Sequence, residues 1–468
     1  MNGKKIKTEI LVLGAGPGGY AAAFYAADMG KKVTLIDRDK NLGGVCLNRG
    51  CIPSKALLHA VRLLEDAKSA SQFGIEFGKP SVDLDKLRSW KNETLAKLSG
   101  GVAFNAKKRG VDVMTGRGYF ESSNVLRLET EDGQKFIEFE KAIIAVGSRP
   151  AMPAAFDLGN PRIMTSDQAL EIAEIPESLL VVGGGYIGME LSTVYAALGS
   201  KVTVVEAGPE ILSGADADLI RPVKKYAESH FKEVRVNAKV QKMATSGKQI
   251  KVTMDSGDEL YDRVLVSIGR TPNSADLGLE NTKVQLTDKG FIKANTHQQT
   301  DDPSIFAIGD IVGGLMLAHK ASKEARIAVE VICGERSAFE NIIIPAVVFT
   351  HPEVAWCGLT EAEAKSKNIA IEVAKFPWSA SGRAMTLGDS QGLTKLIIEP
   401  GTDRILGVGI VGHNAGDLIS EGVLAIEMGA TAQDIALTVH PHPTLGETMM
   451  EAAELFYGHS SHVYSPKK

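Results

Sequence analysis

The hydrophobic pattern of the chain carries one signal twice. Residues 9 to 13, EILVL, form the short apolar run expected of a parallel strand covered on both faces, and GAGPGG follows at once. An alanine-rich stretch of helical character comes next, then a second apolar run, VTLID, ending at Asp37. Strand, glycine turn, helix and strand in this order predict a dinucleotide-binding βαβ unit. In that unit Gly14 allows the tight turn, Gly16 lets the backbone approach a pyrophosphate, and Gly19 permits close helix–strand packing, while Asp37 can take ribose hydroxyls.

The same pattern returns 169 residues later: Gly183, Gly185 and Gly188 stand for Gly14, Gly16 and Gly19, and Glu206 stands for Asp37. Gly30, Val33 and Thr34 are likewise matched by Gly199, Val202 and Thr203, so two dinucleotides are implied. Each unit then runs into an alternating, turn-rich stretch that predicts a β-meander. A strand closing on glycine follows each meander: AIIAVGSRP at 142–150, with Gly147, and VLVSIGRTPN at 264–273, with Gly269. After the second of these, PSIFAIGD at 303–310 ends in Asp310, and a helical pattern runs from about Ala318 to Gly334. This predicts that the first unit resumes beyond the second, which is therefore inserted in it. From about Ile343 the glycine fingerprints cease, and runs such as TKLIIEP and RILGVGIVG predict a separate α+β domain. The expected fold class is α/β with two Rossmann-like units, bounded at 1–149, 150–277, 278–343 for the returning part of the first unit, and 344–468 for the last domain.

Composition narrows the function. A chain of 468 residues exceeds one hydrophobic core and suggests roughly three or four domains. A net charge of −5 gives no basic excess for phosphates or anionic membranes, so neither a nucleic-acid nor a membrane partner is expected. Lys4, Lys5 and Lys7 precede an apolar run too short for a signal peptide, and no stretch reaches the roughly 18 apolar residues of a bilayer span. The expectation is a cytoplasmic enzyme acting on small molecules or on other proteins.

The candidate chemistry lies in NLGGVCLNRGCIPSKALLH, residues 41–59, directly after the first unit's acid. Cys46 and Cys51 are an i,i+5 pair, whose Cα atoms in a regular helix would be about 8.7 Å apart, beyond the roughly 7 Å limit for a disulfide. Gly50 between them and Pro53 after them allow a distorted first turn that could close the gap. On spacing alone a turnover disulfide, a structural bridge, a metal site and two buried thiols all stay open. Zinc is disfavoured because the stretch has no CxxC and only a distant His59, and no metal is expected elsewhere. A structural bridge is disfavoured by compartment. Cys333 and Cys357 read as small buried hydrophobes. Lys55, one turn beyond Cys51, can favour a thiolate. Near the C-terminus HPHPTLGE supplies His440, His442 and Glu447, and an imidazole oriented by a carboxylate suits deprotonation of a thiol substrate.

Taken together, GAGPGG, GGVCLNRGCIPSK, VVGGGYIGME, IGRTPN, FAIGD, LMLAHKA and HPHPTLGE resemble the pyridine nucleotide-disulfide oxidoreductase family, class I, over essentially the whole chain. Within that family they look like the branch that oxidises dihydrolipoamide. The resemblance implies FAD on the first fingerprint, with Asp310 near the ribityl chain, and a nicotinamide nucleotide on the second. It implies that Cys46 exchanges with substrate, that Cys51 faces the flavin as a thiolate, and that Lys55 and Glu190 pair beside the ring. The helix starting near Ala318 would aim its positive end at the ring. His442 and Glu447 would act on the disulfide of the other subunit, making the protein a homodimer built on its C-terminal domain. The partner would be a lipoyl-bearing protein of a 2-oxo acid dehydrogenase or glycine cleavage complex; the alternative is a related reductase of a low-molecular-weight disulfide. Glu206 can bond both ribose hydroxyls of NAD and would repel a 2′-phosphate, and Ala207, Gly208 and Pro209 bring no arginine, so NAD is expected. Arg49 and Pro441 depart from the family pattern, and Arg49 is expected to favour thiolate at the cysteine pair.

Overall fold

The computed structural model describes residues 6–464; Lys4 and Lys5 lie outside them. The first sheet is built on Ile6–Leu13, which pairs in parallel with Val33–Asp37 on one side and with Gly133–Ile144 on the other. The long strand Gly133–Ile144 works in two halves. Its first half pairs antiparallel with Val125–Thr130 and so carries the meander, while Ala142, Ile143 and Ile144 pair in parallel with Ile305, Phe306 and Ala307. The returning strand therefore completes the first sheet, and the second unit is inserted in the first.

That second unit has a five-stranded parallel sheet with Ser178–Val182 at its centre, flanked by Lys201–Val205 and Arg263–Val266. Its meander, Val240–Ser246, Gln249–Met254 and Gly257–Tyr261, forms a separate three-stranded sheet. Two short antiparallel strands, Ser148–Pro150 and Arg270–Pro272, tie the units where the chain crosses between them. The C-terminal domain is a five-stranded antiparallel sheet with helices Ala415–Glu427 and Glu447–Phe456 packed on it, an α+β layer.

One apolar cluster crosses all of these parts. Leu57 and Val61, on the helix Cys51–Ser69, are buried with Leu170, Met189 and Val194 of the second unit and with Val348, Val354 and Val411 of the C-terminal domain. The cysteine-bearing helix is thereby held from two sides. A second tie is ionic: the buried Lys395 ammonium lies 2.6 Å from Asp216, 2.8 Å from Asp218 and 3.0 Å from Glu361, joining the second unit to the C-terminal domain. These three carboxylates would otherwise resemble a cation site, and the lysine occupies their centre. Cys357 is buried as expected, whereas Cys333 is only half-buried, because it caps the helix Ala318–Ile332 at the surface.

Candidate active site

The expected distorted turn is a full break. Gly44–Arg49 and Cys51–Ser69 are separate helical segments with Gly50 between them at φ −144° and ψ −107°. A Cβ at Gly50 would come within 3.1 Å of the Val45 carbonyl oxygen and 3.4 Å of the Cys46 Cα, so the two segments close tightly there. The break brings the sulfurs into hydrogen-bonding contact. The Cys46 thiol donates to Cys51, and this bond, followed by burial, pushes the Cys46 pKa up. At Cys51 the same bond leads in the other direction; burial opposes it, Lys55 assists it, and the pKa comes down to about 7. The reduced pair is thus polarised, with thiolate favoured at Cys51 over Cys46.

Lys55 Nζ lies 2.9 and 2.8 Å from the two oxygens of Glu190, a carboxylate buried on the helix Tyr186–Ala197. Glu190 also accepts from the Ser54 hydroxyl at 2.7 Å and the Phe349 N–H at 3.0 Å, and the ammonium sits 4.5 Å from the centre of the Phe349 ring. One carboxylate therefore joins the cysteine helix, the second unit and the C-terminal domain. Arg49 corrects the expectation made for it. Its guanidinium bonds Asp39 at 2.8 Å and lies 3.9 Å from Asp167, so its charge is committed to carboxylates. Lys55 is the cation that acts on both thiols.

The two glycine fingerprints have matching geometry. Gly14 and Gly183 adopt φ of +102° and +107°, where a side chain would also meet the carbonyl oxygens of Ala145 and Ser267 at 2.4 and 2.5 Å. A Cβ on Gly19 or Gly188 would fall 1.8 or 2.0 Å from the carbonyl oxygen of Gly14 or Gly183, whereas at Gly16 and Gly185 it would meet no protein atom within 4 Å. The first and third positions are thus closed by the protein, and the second opens on the space a pyrophosphate would fill. The acids also correspond. Asp37 accepts from Ala15 and Asp39 N–H at 2.5 and 2.9 Å, and Glu206 from Gly184 and Gly208 N–H at 2.7 and 2.6 Å. Burial nevertheless holds the Asp37 carboxyl above its usual range.

A cavity of about 570 Å³ collects most of the candidate residues. Gly14, Gly16 and Asp37 line one end, and Cys46, Cys51, Lys55 and Glu190 line another. Gly147, Asp310 and Ala318 face it as well, with Ala318 opening the fifteen-residue helix Ala318–Ile332, whose N-terminal end is electropositive. Gly183, Gly185, Gly188, Glu206 and Gly269 do not line it. The helix that leaves the second fingerprint does, through Tyr186, Ile187 and Leu191. Gly147 and Gly269, at φ +67° and +133°, shape the two crossings between units, and each carbonyl accepts a bond there, from Asn273 N–H and from Ala151 N–H. A dinucleotide with one end on the first fingerprint and the other against the thiols fits this donor set.

Sequence reasoning missed Tyr186, Ser148 and Arg270. Arg270 donates to the Ser148 hydroxyl at 2.6 Å and lies 3.6 Å from Asp310, and its place in IGRTPN was the available signal. His442 and Glu447 are bonded to each other at 2.8 Å but line no part of the cavity in their own protomer, and the imidazole is exposed. Burial of Glu447 is outweighed by the Thr444 N–H and by His442, which hold its carboxyl below the usual range. His440 is turned to Glu421 at 2.7 Å instead.

Residues 8–325 match the model of the pyridine nucleotide-disulphide oxidoreductases, and residues 344–453 match the dimerisation domain of the same enzymes. The chain belongs to the pyridine nucleotide-disulphide oxidoreductase family. Among its members, a dihydrolipoyl dehydrogenase of Vibrio cholerae is 46% identical over 460 residues, 97% of each chain. The solved structure of LpdA from Mycobacterium tuberculosis superposes with a TM-score of 0.89 at 28% identity, covering 96% of this chain and 99% of that one. The flavoprotein disulfide reductase RclA of Escherichia coli gives a TM-score of 0.88 at 27% identity, over 97% and 100% of the chains. FAD and NAD are the cofactors of the family members this chain matches, and a dimerisation domain accords with a homodimer. No helix of the described residues is long and apolar enough to cross a membrane.

Proposed function

We propose that the protein is a dihydrolipoyl dehydrogenase: it oxidises the dihydrolipoamide arm of a lipoyl-bearing protein and reduces NAD⁺ to NADH. It does so as a cytoplasmic homodimer, serving a 2-oxo acid dehydrogenase or glycine cleavage complex. The observation that carries this reading is the shared cavity, in which the bonded thiols and the Lys55–Glu190 pair lie between the first fingerprint and the helix leaving the second.

The exposed His442, held by Glu447, acts outside its own protomer and takes the proton of a substrate thiol at the partner's cysteine pair, a reading that its exposure supports. The substrate thiolate attacks the Cys46 sulfur of the Cys46–Cys51 disulfide, which breaks that bond and leaves the electron pair on Cys51. The second substrate thiol attacks the mixed disulfide, lipoamide leaves as the cyclic disulfide, and Cys46 recovers a proton. Lys55 stabilises the charge on Cys51 through this exchange. FAD, when bound, supplies a two-electron carrier between the dithiol and the nicotinamide. Gly14, Gly16, Asp37, Asp310 and the start of the Ala318 helix would hold it, and Gly183, Gly185, Gly188 and Glu206 would hold NAD.

Side-by-side assays test the proposal: dihydrolipoamide with NAD⁺ should turn over, and glutathione disulfide with NADPH should not. The reverse outcome would place the protein among reductases of small disulfides. Anaerobic NADH addition should also raise a long-wavelength thiolate-to-flavin band, and a spectrum that never changes would sink the proposal.

A further inference from the structure

Two unusual features occur together where no reacting group lies. Ile172 is fully buried at φ +41°, a left-handed conformation that β-branched residues avoid. It lies three residues beyond the short helix Ser166–Ala169, past the cap at Leu170. Beside it Lys91, on the helix Leu84–Lys108 of the first unit, is 1% exposed, and burial lowers its pKa. Its ammonium donates to the Leu170 carbonyl at 2.8 Å, with the exposed Glu171 carboxylate 3.9 Å away.

Further donors converge on the same segment from both units. Arg88 bonds the carbonyls of Ile172 and Ala173 at 3.4 and 3.1 Å, and the Tyr195 hydroxyl bonds the Ala169 carbonyl at 2.8 Å. Lys91 and Arg88 belong to the first unit, and Tyr195 belongs to the helix Tyr186–Ala197 that leaves the second fingerprint. Ser166 and Leu170 of the clasped segment line the cavity that holds the thiols. A strained buried residue persists only where its surroundings over-determine it, and a buried ammonium is retained only where its partner is fixed. Both conditions are met by a rigid brace.

We propose that Lys91 is a positioning residue for hydride transfer: through Leu170 and the Ile172 turn it fixes the second unit, and the nicotinamide on it, against the flavin cavity. This rests on the reading of the second fingerprint as the NAD site. Because that site lies wholly within the second unit, disturbing the brace changes the distance to the acceptor and leaves nucleotide binding alone. The dithiol side has its own anchors, since Glu190 is fixed by Lys55, Ser54 and the Phe349 N–H, so exchange with lipoamide does not depend on the Lys91 bond.

The test uses the FAD-loaded dimer and rapid anaerobic mixing. In Lys91→Met, reduction by NADH should slow about tenfold with the NADH dissociation constant unchanged, and reduction by dihydrolipoamide should keep its rate. The isotope effect with NADH deuterated at the transferred position should become more temperature-dependent, which a merely structural role would not cause. Glu171→Gln, which keeps the Lys91–Leu170 bond, should behave as wild type. Equal slowing of both half-reactions, or no change in either, would overturn the proposal. Should Lys91→Met fail to fold, Arg88→Met carries the same comparison, with a smaller but equally one-sided slowing expected and the same overturning outcomes. Wild-type protein that NADH does not reduce would sink the reading of the NAD site instead.

Discussion

Breaking the Lys55–Glu190 pair from its two ends should move the Cys51 pKa in opposite directions. Thiolate is the charged form, so a nearby cation lowers the pKa and a nearby anion raises it, and Lys55 and Glu190 act on Cys51 with these signs. Lys55 follows Cys51 by one helical turn, which sets the charges roughly 6 Å apart. At an effective dielectric constant of about 20 that separation gives roughly 3 kcal/mol, or about two pKa units. The lysine side chain is 32% exposed on an open cavity, and solvent screening brings the expected change to about one unit. Lys55→Met should therefore raise Cys51 from about 7 toward about 8, and Glu190→Gln should lower it by about half a unit. The assay is the rate of iodoacetamide alkylation of the anaerobically reduced protein against pH, with Cys51 identified by mass spectrometry. If both variants shift the profile the same way, the ion pair acts through structure and the electrostatic reasoning fails.

Gly185→Val should fold with near wild-type stability yet lose NADH affinity at least tenfold by titration, because its side chain would meet only the bound nucleotide. Gly188→Ala should instead lose roughly 1–3 kcal/mol in denaturant unfolding, because its Cβ would press on the Gly183 carbonyl. Arg49→Val should leave the Cys51 alkylation profile unmoved, since the guanidinium is already paired with Asp39 and Asp167; a shift of a unit would restore it as a thiolate-stabilising cation. Cys46→Ser and His442→Gln homodimers should each be inactive toward dihydrolipoamide, and their mixture should regain part of the activity after subunit exchange. No recovery despite demonstrated hybrids would refute a shared site.

The class of fold and the inserted unit were legible because they rest on backbone requirements. A φ above +100° at Gly14 and Gly183, closed further by a carbonyl oxygen, leaves glycine as the residue that fits, and the sequence prints that twice at one spacing. The joint between Cys46 and Cys51 was half legible: Gly50 announced freedom, but a break between two helices and a distorted turn have the same residue pattern. Partners distant in sequence left no trace. Nothing in LNRGC points to Asp39 and Asp167 as the groups that consume Arg49, and nothing near Lys91 or Lys395 announces a buried ammonium. Tertiary contact decides those cases, and spacing does not encode it.

A duplicated binding unit would give two independent sites unless something joined them, and here one helix carries several of the joints. Tyr186–Ala197 starts at Gly185, where its open end can receive a phosphate. One turn on, Glu190 grips Lys55 and Ser54 beside the thiols, and further along Tyr195 bonds the segment braced by Lys91. The proposed nucleotide end, the dithiol contact and the brace are thus spaced along about 15 Å of one rod at 1.5 Å per residue. The corresponding first-unit helix, Pro17–Asp28, packs chiefly on Ala318–Ile332 and also touches the Cys46 segment Gly44–Arg49 and the Lys91 helix Leu84–Lys108. Both helices of the repeat thus lead to the cysteine pair, the first by packing on the Cys46 segment and the second through Glu190 and Lys55 on the Cys51 helix.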